Sequence, residues 1–235
     1  MNTVTEIMSE LESLGSPGVK AIWLKHGIKE PFFGVKIGDL KPIEKRIKKD
    51  YQLAKDLYAT GNADAMYLAG LIADDKQMSK TDLQTWVGQA VSCNISDFIV
   101  PWVAAGGNCG FELALEWIKS PEGHIASAGW ATLSNLVALK PDNELDINKL
   151  KSLLKQVQQS IHTSANGVRS TMNNFVIALG IYVSELRDEA IAAAKNIGKV
   201  TVIKEGTACK VPDAIEYINK ALNRGPVKKK KTVKC

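Results

Sequence analysis

No apolar run in this 235-residue chain approaches the ~20 residues that a membrane span needs, so no membrane contact is expected. There is no C-x-x-C pair among Cys93, Cys109, Cys209 and Cys235, and His26, His124 and His162 are scattered. Zinc-type spacing is therefore missing, and the thiols read as buried or idle. Neither a metal nor a cofactor is expected. P-loop, G-x-G-x-x-G, G-x-S-x-G and H-E-x-x-H signatures are also missing, and AAGGN at 104–108 is a turn with no strand before it. Strand signal is scarce, with only KVTVIKEGTACKVP at 199–212 fit to be extended. The N-terminal MNTVTEIMSELESLG is acidic and amphipathic, unlike a secretory signal or an Arg-rich transit peptide. A cytoplasmic location is expected.

Charge is unevenly spread. The net +5 comes from the tail GPVKKKKTVKC, which holds five lysines; the rest carries 25 basic and 25 acidic residues. Val19–Thr60 has ten Lys/Arg against five Asp/Glu, whereas Gly61–His124 has three against eight. Such polarity can present a basic stripe. The tail, residues 224–235, reads as a disordered arm with sequence-independent attraction for phosphate.

Helical periodicity dominates. In LDINKLKSLLKQVQQSI, residues 145–161, Leu150, Leu153, Leu154, Val157 and Ile161 mark one face. Breakers at Gly15–Ser16–Pro17, Gly61–Asn62, Gly106–Gly107, Ser120–Pro121, Lys140–Pro141–Asp142 and Ala165–Asn166–Gly167 separate such segments. They delimit helix pairs at 38–74, 80–119, 123–161 and 167–198, close to the ~40–47 residues of HEAT and armadillo units. A single all-α solenoid domain over 1–223 is the expectation. Stacked pairs of this kind curve and leave a concave binding surface.

One segment is energetically odd. CNISDFIVPW, residues 93–102, puts Asp97 in an apolar run and Pro101 four residues later. A buried lone carboxylate is costly, and proline cannot donate to the carbonyl four residues earlier. Asn94 can be a helix N-cap with Asp97 at N3, favoured by the helix dipole. Equally, a bend at the Asp97 carbonyl can mark a functional surface. Trp23, Trp86, Trp117 and Trp130 lie on apolar faces and read as packing, while Trp102, beside the glycine turn, reads as partly exposed. Lys36, Lys41, Lys45, Arg46, Lys48 and Lys49 form either a solvated face or a set of phosphate contacts. Arg169, next to Asn166–Gly167, can hold a phosphate at a helix N-terminus or simply cap it. Asn173 and Asn174 suggest a polar lining or a buried amide pair.

KHGIKEPFFGVKIGDLKPIEKRIKK at 25–49, LAKDLYATGNADAMYLAGLIADD at 53–75 and SDFIVPWVA at 96–104 resemble the AlkD-like DNA alkylation repair family over about residues 20–198. The resemblance implies a right-handed α-solenoid of HEAT-like helix pairs with a concave, DNA-sized cleft and duplex DNA as partner. A monomer is expected. Active members are glycosylases that release cationic alkylated purines such as 3-methyladenine and 7-methylguanine. They use an aspartate near the sugar, two tryptophans and an arginine. The chemistry is intelligible: the cationic base leaves readily, and a fixed carboxylate stabilises the oxocarbenium-like sugar. Indole faces attract the cation.

Carried over one residue at a time, Asp97 matches the aspartate. Cys93 stands where the first tryptophan would, Ala128 is nearest the arginine position, and Asn174 is near the second tryptophan. Cys93, Trp102, Trp130, Asn173 and Asn174 are the candidate cleft-lining residues. Three functions follow as expectations. One is a DNA glycosylase using Asp97, another a non-catalytic DNA-binding solenoid, and the third a protein-interaction scaffold.

Overall fold

The computed structural model describes residues 3–203 and 211–234. These residues form 13 α-helices, a π-helical turn and two short 3-10 turns, with no strand among them. The stretch expected to be extended carries no strand at 199–203 or 211–212, and its remainder lies outside the described residues. The described chain divides into two compact units. The first runs to Cys109 and includes Lys234; the second covers Gly110–Ile203 and residues 211–233.

The first unit contains α1 (Val4–Leu14), α2 (Pro17–Lys25), α3 (Ile37–Ile47), α4 (Tyr51–Ala59), α5 (Ala63–Ile72), α6 (Lys80–Gly88), a π turn (Ile95–Ile99) and α7 (Val100–Gly106). Short polar residues start most of these helices by accepting orphan N–H groups. Thr3 with Glu6, and Ser79 with Asp82, form reciprocal capping boxes. Asp50 caps α4, and the buried Asn62 accepts from the N–H groups of Asp64 and Ala65 at the start of α5. The expected pair at 38–74 is thus three helices. Lys48, with φ 65°, ends α3, and the Asp50 cap restarts the chain as α4.

α5 is buried along its whole length and forms the centre of this unit. Tyr58 of α4 stacks on Trp86 of α6 at 4.1 Å and donates its hydroxyl to the Trp86 carbonyl at 2.6 Å. Burial pushes that hydroxyl well above its usual pKa. The Asp82 carboxylate also ties α6 to α4, meeting Lys55 Nζ at 2.7 Å and accepting from Tyr51 at 2.8 Å. Burial alone would raise the Asp82 pKa. Lys55, Ser79 and Tyr51 outweigh it and hold the group at about 2. Lys55 is correspondingly raised to about 12, chiefly by its hydrogen bond to Asp82.

The second unit contains α8 (Gly110–Trp117), α9 (Gly123–Leu139), α10 (Ile147–Ser160), α11 (Asn166–Tyr182), α12 (Arg187–Ile197) and α13 (Ala214–Leu222). Here the expected pairs hold at α9–α10 and α11–α12. Leu150, Leu153, Leu154, Val157 and Ile161 are all buried, as their spacing predicts. α9 and α11 run side by side in the same direction, as two contacts show. The Ser127 and Thr171 hydroxyls meet at 3.2 Å, and one turn further Trp130 packs on Phe175 at 5.3 Å. α13, which periodicity did not single out, adds Ile218 against Gly180 of α11.

The described lysine tail makes contacts with the helices. Lys229 donates to the Val137 carbonyl in the last turn of α9 and pairs with Asp142, both at 2.8 Å. The Lys230 N–H donates to Ala138. In the first unit, Lys234 Nζ reaches the carbonyl of Ala73, just past α5, and Asp75 Oδ1 at 2.6 Å. The last carbonyls of a helix lack intrahelical donors and sit at the negative end of its dipole, so a lysine satisfies both needs.

Candidate nucleic-acid interface and the Asp97 turn

Ser92 opens the helical segment carrying Asp97, its carbonyl accepting from the N–H groups of Ile95 and Ser96, both at 3.0 Å. Asn94 is therefore not the N-cap that its sequence position suggested. Its backbone is already helical (φ −68°, ψ −28°), its side chain caps no N–H, and it takes the Ser92 hydroxyl.

From Ile95 to Ile99 the chain widens into a π turn, closed by the Val100 N–H donating to the Ile95 carbonyl. Pro101 explains the widening. It has no N–H to give to Asp97, and its ring would clash with that carbonyl in a regular α-helix. The wide turn moves the clash away and leaves Pro101 in the first turn of α7, where its missing donor costs nothing. α5 supports the turn at close range. A Cβ on Gly70 would come within 2.3 Å of Ile99 Cγ2, so the backbone there admits only glycine unless Ile99 moves.

The turn places Asp97 half-buried at the surface, with Ser96 Oγ donating to its Oδ1 at 2.9 Å. Cys93 is exposed beside it, and Phe98 is 52% exposed. Trp102, expected to be partly exposed, is only 4% exposed. It packs edge-on against Tyr67 at 5.7 Å and against Phe98 at 6.4 Å.

The basic residues of 36–49 are all exposed. Several are already engaged. Arg46 pairs bidentately with Glu10 of α1, Lys41 meets Glu44 at 3.2 Å, and Lys49 meets Asp74 at 3.6 Å. Lys36, Lys45 and Lys48 have no side-chain partner among the described residues. Lys41, Lys45 and Lys48, at spacings of four and three, share one side of α3 and its end.

A residue missed in the sequence sets this helix in place. Asp64, fully buried, accepts the consecutive N–H groups of Phe33 (2.6 Å), Gly34 (3.0 Å) and Val35 (3.0 Å). Burial pushes its carboxyl pKa up, and the three N–H groups only partly offset this. Gly34 has φ +82° and lies where a Cβ would meet the Lys20 backbone at 2.7 Å. The FFGV motif that carried the family resemblance is thus a loop wrapped around Asp64, leading directly into α3. An acid just behind the Asn62 cap, in an otherwise apolar helix, was the available signal.

The remaining candidates lie in the second unit. Trp130 is 1% exposed and belongs to the core, as do Trp117 and, in the first unit, Trp86. Neither Trp130 nor Asn173 lines a surface: Asn173 is 4% exposed and donates to the Pro212 carbonyl at 2.9 Å. Asn174 is exposed, so the two amides do not form a pair. Arg169 is half-buried, with Nε on the Ser164 carbonyl at 2.8 Å and Nη1 near the Thr201 carbonyl at 3.4 Å. Ala128 is fully buried in α9. Among the described residues no three His, Cys, Asp or Glu side chains are grouped to hold a metal ion. No described helix is long and apolar enough to cross a membrane.

Comparison with known proteins adds to this geometry. Residues 7–218 match the model of a family described as DNA alkylation repair enzyme. Two uncharacterized proteins, Lin0241 of Listeria innocua (serovar 6a) and Lmo0209 of Listeria monocytogenes (serovar 1/2a), are each 33% identical over 229 residues. That alignment spans 95% of this chain and 99% of theirs. A solved structure superposes with a TM-score of 0.92 and 38% identity over 100% of both chains. It belongs to a family of proteins related to the HEAT-like repeat DNA glycosylases with affinity for branched DNA structures. The fold of this chain is therefore all-α and HEAT-like.

Proposed function

Since this chain belongs to the DNA alkylation repair enzyme family, we propose that it is a DNA-binding protein that prefers branched DNA to plain duplex. The observation carrying this reading is full-length likeness, at 38% identity, to a protein with affinity for branched DNA. The exposed Lys36, Lys45 and Lys48 support it, because their ammonium groups meet no side-chain partner among the described residues and can neutralise phosphates without breaking an ion pair there. Titration of a four-way junction, a three-way junction and a duplex of equal length tests the reading. Tighter binding to the junctions is expected, with log affinity falling against log salt by about 0.9 per neutralised phosphate. Equal affinity for all three, or none, overturns it.

A second reading is favoured by one observation: Asp97, which the resemblance matches to the family's aspartate, reaches the surface. There a carboxylate can stabilise the cationic sugar left by a departing alkylated purine. At or nearest the other three family positions, the resemblance puts Cys93, Ala128 and Asn174, which provide neither an indole face nor a guanidinium. Base release from N-methylated duplex DNA decides this reading. Release abolished by Asp97→Asn supports excision, and no release from the wild-type protein rejects it.

A further inference from the structure

The π turn does more than accommodate Pro101. In a regular α-helix, Ile95, Phe98, Ile99 and Trp102 follow the i, i+3, i+4, i+7 spacing of one buried face. Ile95, Ile99 and Trp102 keep that face, at 0%, 0% and 4% exposure, yet Phe98 is 52% exposed. The wide turn rotates one residue out of the apolar row, and that residue is an aromatic ring. The ring does not project alone. It rests edge-on against Trp102, which in turn rests edge-on against the buried Tyr67. A side chain held in this way loses little freedom on binding a ligand.

The surroundings indicate what the ring meets. The segment that carries it, residues 93–106, holds one charged side chain, Asp97, and no lysine or arginine. The Asp97 carboxylate next to Phe98 in the chain repels phosphate, whereas it does not repel the flat, uncharged face of a nucleobase. We propose that Phe98 is a stacking platform for an unpaired base, such as the unstacked bases at a DNA branch point. This rests on the branched-DNA reading above and assigns a part of the nucleic acid to a segment that itself carries no lysine or arginine. Base–aromatic stacking does not depend on sequence, since every base presents a π face.

The test is Phe98→Ala, with Phe98→Trp as its partner variant, in the full-length protein. Both changes lie on the exposed side of the turn, and circular dichroism confirms the fold. Binding is measured to a three-way junction carrying 2-aminopurine at the branch and to a paired duplex of equal length. Phe98→Ala should weaken junction binding by about 10-fold and leave duplex binding and the salt slope unchanged. Phe98→Trp should retain junction affinity. Quenching of 2-aminopurine by the wild-type protein should be lost in Phe98→Ala alone. Unchanged junction affinity and quenching in Phe98→Ala overturn the inference while leaving the branched-DNA reading intact. Failure of the wild-type protein to prefer the junction overturns both.

Discussion

Asp64 and Asp97 lie in the same unit, each in a largely apolar helical segment, and they are put to opposite uses. Asp64 is fully buried and closes three consecutive backbone N–H groups 29–31 residues away in sequence. Asp97 is half-buried and accepts the hydroxyl of the residue before it. The first carboxylate builds the scaffold that leads into the lysines of α3, and the second belongs to the surface. A carboxylate in an apolar run is therefore not by itself a sign of function. What distinguishes the two is burial: Asp64 is closed off from solvent with three backbone donors on it, whereas Asp97 still reaches solvent.

The largest effect should come from Asp64→Ala. It leaves three N–H groups without their acceptor and should cost about 3–5 kcal/mol in denaturant unfolding. A loss under about 1 kcal/mol would show that the loop at 33–35 finds other partners. Next comes pH, where Asp82 marks a third use of a carboxylate. Its folded pKa, near 2, lies below the ordinary value of 3.8. Its stabilising contribution is complete above about pH 4 and is lost as pH falls toward 2. Asp64 runs the other way. With its pKa raised, its contribution is largest in acid and declines as pH rises through the raised value. Asp82→Asn should therefore flatten the acid limb of a stability-versus-pH curve between pH 4 and 2, whereas Asp64→Asn should not. The smallest effect should be Asp97→Ala, within about 0.5–1 kcal/mol of wild type. A loss as large as that of Asp64→Ala would place both residues in the scaffold.

Much of the architecture was legible in the chain itself. The stripe on α10 is buried residue for residue, and the breakers at 15–17, 61–62, 106–107, 120–121, 140–142 and 165–167 separate elements. Boundaries inside 38–74 were not, because a positive-φ lysine and an aspartate cap at Lys48–Asp50 carry weak local signals. α2 escaped notice because it buries none of its residues fully, touching the body through Trp23 stacked on Phe32 at 5.8 Å. The site was half legible. The oddity of CNISDFIVPW was visible, and Asp97 was singled out from it. Phe98 was not, since its helical spacing assigns it to the core. Trp102 reads as partly exposed and is buried, and Asn173 is buried apart from the exposed Asn174, because residue type does not say which side of a helix meets its neighbour.

The sequence alone determined that the chain is helical, where its helices break and which face of α10 is apolar, since these follow from spacing and from local proline, glycine and capping chemistry. Tertiary structure alone decided the rest. The loop at 33–35 closes on Asp64, Lys234 crosses 159 residues of sequence to pair with Asp75, and Phe98 turns outward. The first two depend on groups that meet only when helices pack. Phe98 depends on Pro101 and on Gly70 of α5, which together make the wide turn both necessary and possible.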